Sequence, residues 1–63
     1  MTEDWATYGV KVLMRSGKIE RKTVQFLRDE FFGRDEKTTA ICLAIAQSSN
    51  PADAIYAEAE ELE

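Results

Sequence analysis

Apolar positions along the chain recur in four clusters separated by short polar breaks. In the first, Trp5, Tyr8, Val12 and Leu13 fall on one face at helical spacing and predict a helix over about 4–15. Thr2, Glu3 and Asp4 supply its cap and early-turn acid. Gly17 follows as a left-handed stop, and Arg15 suits the negative end of the helix dipole. Gly9 costs roughly 1 kcal/mol against alanine inside a helix and marks a close approach by a neighbour.

The second cluster predicts a helix over about 19–32, with Val24, Leu27 and Phe31 on one stripe and Ile19, Thr23 and Phe26 on the next. Gly33 ends it. A third helix is expected over about 35–47, with Asp35 as N-cap and Glu36 in its first turn. Its centre, "AICLAIA", is apolar on nearly every face, which predicts a buried element. The fourth, about 51–62, begins at Asn50, Pro51 and Asp53, a capping pattern with proline at the first helical position. Ala52, Ile55, Ala59 and Leu62 form its stripe. Short connections make consecutive helices neighbours. The expected fold is therefore an all-α bundle of three to four short helices in one domain.

Length limits what such a fold can do. A chain of 63 residues buries only about 60% of the surface its unfolded form exposes, and often needs a staple or a partner subunit. The one cysteine, Cys42, cannot form an intrachain disulfide; within its apolar run it reads as a buried, reduced thiol of a cytoplasmic protein. The N-terminus has no secretory pattern, and the uncharged run from Thr38 to Ala52 is too short and polar to span a bilayer.

The residue inventory argues against catalysis. There is no histidine, which removes the usual general base and metal ligand. Ser16, Ser48 and Ser49 lie in turns without an assignable base, and neighbouring acids such as Asp29 and Glu30 point to different helix faces. "DEFFGRDE" lacks the alternating oxygen ligands and closing glutamate of a calcium loop. No Gly-rich phosphate cradle is present. No catalytic residue, metal ligand or cofactor is predicted.

Charge separates two binding modes. The net charge of −4 combines a basic cluster, Lys11, Arg15, Lys18, Arg21 and Lys22, with a final segment that carries no basic residue. The cluster suits phosphate contacts, which makes a small nucleic-acid-binding regulator the alternative reading. A helix-turn-helix with Gly33 at its turn would place Asp29 at the buried small position, a poor match. The principal reading is a protein-binding module that regulates or inhibits a larger machine. Its expected interface residues are Trp5, Tyr8, Phe26, Phe32 and Tyr56, with Glu58, Glu60 and Glu61 on the last helix. Aromatics in excess of what so small a bundle can hide suggest a homodimer, or a structural oligomer subunit. A row of carboxylates on a rigid helix can also imitate the phosphates of nucleic acid. Small acidic inhibitors from phages and mobile elements work in that way, and the chain is comparable to them in size and charge alone.

Overall fold

The computed structural model describes residues 4–28 and 35–62. It overturns the all-α expectation: the described residues form mainly β-sheet, with one α-helix. Strand β1 spans Trp5–Met14, β2 Ile19–Leu27 and β3 Ala54–Glu61; the helix α1 spans Glu36–Ala46. The strand order is β2-β1-β3, with β1 antiparallel to both neighbours.

The pattern behind β1 has period two. Ala6, Tyr8, Val10, Val12 and Met14 alternate with Thr7, Gly9, Lys11 and Leu13, and all five of the even-numbered side chains are buried. Alternate side chains of a strand point to opposite faces, so one face of β1 is apolar throughout. Val24 and Phe26 extend that face on β2. The four-residue turn between the strands carries Gly17 at φ 93°, a conformation that glycine adopts without steric cost. The residue expected to stop a helix therefore reverses a hairpin, closed by Met14 N–H to the Lys18 carbonyl and Gly17 N–H to the Met14 carbonyl, each 2.8 Å.

The third predicted segment does fold as a helix. The Asp35 carboxylate accepts from the Thr38 backbone N–H at 3.0 Å and from its hydroxyl at 3.1 Å. The helix is not enclosed, however. It lies across one face of the sheet, with Thr39, Ala40 and Ala44 buried, Ile41, Leu43 and Ile45 partly so, and Cys42 exposed. The expectation of a buried thiol is thus corrected. Alanines at 40 and 44, one turn apart, let the helix backbone come close to the sheet.

The helix start expected at Asn50 amounts to one 3₁₀ turn, Pro51–Asp53. The Asn50 side chain makes no cap; its amide donates to Asp53 Oδ2 at 3.0 Å. The helix does not propagate because the following residues pair with β1, matching Ala57 with Val12 and Ala59 with Val10. Ile55 takes up a register shift, since Leu13 faces Tyr56 whereas Met14 faces Ala54.

The packing predicts an asymmetry between neighbouring helix positions. Ala44→Leu pushes the helix off the sheet and should cost about 1–3 kcal/mol. Ala46→Leu, on the exposed side, should leave the urea midpoint nearly unchanged.

Candidate functional site: the uncovered face of the sheet

One helix covers one face, and among the described residues nothing covers the other. The register defines that second face row by row. Leu13 lies between Ile19 and Tyr56. Lys11 lies between Arg21 and Glu58, and Gly9 between Thr23 and Glu60. Trp5 faces Leu27 at the far end of the hairpin. Trp5, Ile19, Tyr56 and Leu62 each leave about half of their surface exposed. Leu62 leans over Gly9: a Cβ there would sit 3.3 Å from Leu62 Cδ2. Gly9 does mark a close approach, but of a side chain rather than a helix. The result is a shallow, open trough floored by Gly9 and walled by Lys11, Arg21, Glu58 and Glu60. A second apolar depression lies over Leu13, Ile19 and Tyr56.

The expected interface residues divide between the two faces. Trp5 and Tyr56 are exposed on the open face. Tyr8 and Phe26 are core residues on the helix side, stacked with ring centroids 6.0 Å apart and planes 10° from parallel, and they are withdrawn from the interface set. Phe32 lies outside the described residues. The three glutamates do not form one row, because strand geometry sends successive side chains to opposite faces. Glu58 and Glu60 reach the open face, whereas Glu61 is on the helix side and accepts from Arg28 Nη2 at 2.9 Å. Ile19, Leu13 and Leu62, absent from the expected set, complete the open face. The pairing of β1 with β3 was the missing signal.

The basic cluster is likewise divided. Lys11 and Arg21 share the open face, Lys22 is level with Val10 on the opposite one, and Arg15 and Lys18 are in the hairpin turn. Lys18 approaches Glu20 at 4.0 Å. Glu20 in turn accepts from the Ser49 hydroxyl and, at 3.2 Å, from the Ser49 backbone N–H. These hydrogen bonds, the hydroxyl's first, hold the Glu20 carboxyl below the usual carboxylate range, with Lys18 and Lys22 adding to the effect.

A second polar group gathers at the other end of the hairpin. Arg28, just after β2, donates to Asp4 at 2.6 Å, to Glu36 at 2.8 Å and to Glu61 at 2.9 Å, so one guanidinium ties the end of β2 to the residue before β1, the first residue of α1 and the last of β3. The hydrogen bonds to Glu36 and then Asp4 raise the guanidinium further above its ordinary value. The other Glu36 oxygen accepts from the Tyr8 hydroxyl at 2.8 Å. Every acid in this group is engaged by Arg28, which makes it a clamp rather than a vacant site. Among the described residues no set of acids and cysteine is placed to hold a metal ion, and no helix is long and apolar enough to cross a membrane.

Comparison of the chain with protein-family models, with curated proteins and with solved structures found no match in any of the three. The site stands on its own geometry.

Burial pushes the Tyr8 phenol from 10.0 to about 12, with the hydrogen bond to Glu36 adding and the Arg28 charge opposing. A proton held more tightly in the folded state stabilises fully below the unfolded value and is lost as pH rises through the folded one. Wild-type stability should therefore fall between pH 10 and about 12. Urea midpoints across that window should fall less for Tyr8→Phe, which has no phenol proton to lose.

Proposed function

We propose that the protein is a small, non-enzymatic protein-binding module that regulates or inhibits a larger protein machine, engaging it through the uncovered sheet face. The observation that carries this reading is the face itself. Large apolar side chains, Trp5, Ile19, Tyr56 and Leu62, stand on the side of the sheet that α1 does not reach. Large apolar side chains left exposed on a small protein mark an interaction site, and tryptophan and tyrosine are the side chains that contribute most at such sites. Lys11, Arg21, Glu58 and Glu60 cross the middle of this face, between an apolar end at Leu13, Ile19 and Tyr56 and another at Trp5 and Leu27, with Leu62 over Gly9.

Reactive groups are not gathered on this face, and its depressions are open troughs rather than the concave pockets that enclose small substrates. That supports binding over catalysis. The nucleic-acid reading draws less support from the same geometry, because only Lys11 and Arg21 of the five basic residues share the open face, with Glu58 and Glu60 beside them. The imitation of phosphates by a carboxylate row also loses support, since Glu61 is directed to Arg28. A cytoplasmic setting agrees with the free, exposed thiol of Cys42.

Trp5 and Cys42 separate this reading from a purely structural one. Trp5→Ala should weaken capture of the partner by about 2 kcal/mol, the usual loss at an interface anchor. Cys42→Ser, on the outer side of the helix, should leave capture unchanged. Quantitative affinity capture from the native cell lysate with the three forms checks both. A protein retained equally by Trp5→Ala and wild type, or none retained above background, refutes the assignment of this face.

A further inference from the structure

The sheet has two outer strands, β2 and β3, and their free edges carry opposite charge. Among the described residues, and apart from the Ala54 N–H that bonds the Pro51 carbonyl at the start of β3, no backbone group on the outer side of either strand bonds to another segment. Such edges are templates for a further strand. β3, Ala54–Glu61, contributes Glu58, Glu60 and Glu61 and no basic residue, whereas β2 contributes Arg21 and Lys22 against Glu20. A two-fold pairing of β3 with β3 therefore sets acid against acid, and a pairing of β2 with β2 leaves Arg21 and Lys22 with no acid but Glu20, which Ser49 already engages. Like charges opposite one another across strands are destabilising. The edges disfavour their own kind and favour each other.

Register sharpens the match. Both outer strands run antiparallel to β1, so they run parallel to one another. Through β1, Ile19 is level with Tyr56, Arg21 with Glu58 and Thr23 with Glu60. A second copy set beside β3 with no slip along the strands brings its β2 into that same alignment. Its Arg21 falls beside Glu58 and one step from Glu60, and its Ile19 falls beside Tyr56. On the helix side its Lys22 meets Ala59, a residue small enough to admit the lysine stem, with Glu61 close by. Three strands occupy about 14 Å across the sheet. A helix is about 10–12 Å wide, so successive helices fit side by side on one face.

We infer that copies of this chain associate head to tail, the basic edge strand β2 of one adding to the acidic edge strand β3 of the next. The contact is heterologous, so it continues into a ring or a filament according to the rotation between copies. It goes beyond the binding reading above and leaves the centre of the open face available, because Trp5 and Leu13 are on β1 and not on either edge.

Two charge changes test it, each checked for an unaltered far-ultraviolet spectrum. Glu58→Gln with Glu60→Lys removes the acid from one edge and avoids crowding Lys11 with a second lysine. Arg21→Glu reverses the other edge. Sedimentation of the wild type should show mass rising with protein concentration and falling with salt. Each variant alone should associate about tenfold more weakly or less, in line with the loss of one or two cross-strand charge pairs. Mixing the two variants should restore association, since the mixture again holds one native β2 edge and one native β3 edge. A wild type that stays monomeric at the highest concentration and lowest salt overturns the proposal. So does association that survives both variants, or a mixture no more associated than its components. Trp5→Ala, which tests the open face, should leave this self-association unchanged, so the two ideas fail separately.

Discussion

The even-numbered side chains of β1 packed against Ala40 and Ala44 of α1 are the contact on which the remaining structure depends. β1 is the strand paired on both sides, and its buried face runs unbroken from Ala6 to Met14. Val10 and Val12 are almost wholly enclosed, and burying a side chain of that kind contributes about 1.5–3 kcal/mol. Among the described residues there is one α-helix, and it packs on the even face. The odd face is left without cover among those residues, and its apolar members stay at the surface. Strand periodicity thus places those side chains on the open face before they serve any function.

Polar contacts place the helix rather than drive its packing. At the end of the hairpin remote from the turn, Arg28 binds Asp4 before β1, Glu36 in the first turn of α1 and Glu61 at the end of β3, while Tyr8 donates to the same Glu36 from within the sheet. At the other end, Glu20 holds Ser49 just beyond α1, and Arg15 N–H bonds the Asp53 carbonyl at 2.7 Å. These contacts bracket the crossover from β2 to β3. Most of the groups are part-exposed, where ion pairs contribute little to stability. Their geometry nonetheless fixes which helix face meets the sheet, and an apolar helix such as "AICLAIA" does not determine that by itself.

That helix was legible in the sequence because its signals are local: an aspartate cap, an acid in the first turn and good helix formers behind them. The strands were legible in unequal degree. In β1 every even position from Ala6 to Met14 is apolar and only Leu13 interrupts the alternation, yet Trp5, Tyr8, Val12 and Leu13 also satisfy helical spacing, and the helical reading discards Ala6, Val10 and Met14 to keep them. Two templates fit one segment, and the β-branched valines favour the strand. β3 could not be read locally. Alanine and glutamate are depleted in strands and favoured in helices, so "AIYAEAEE" is a helix former held extended by its ladder with β1. Of the candidate site, Trp5 and Tyr56 were identifiable as aromatics in excess, whereas Tyr8 and Phe26 could be assigned to the core only once the sheet was known.

The composition of β3 has a physical reading within this fold. Ala57 and Ala59 are on the face where α1 passes, and larger side chains there would lift the helix from Ala40 and Ala44. The alternate positions, Glu58 and Glu60, face solvent beside Lys11 and Gly9 of the central strand. An edge of small apolar residues alone would be an open template for any strand, including its own copy. Glutamate at the outward positions keeps that edge soluble and excludes an acidic partner strand. The same choice makes the edge selective, because a strand able to dock there must bring positive charge level with Glu58, and β2 of this chain carries Arg21 at that level.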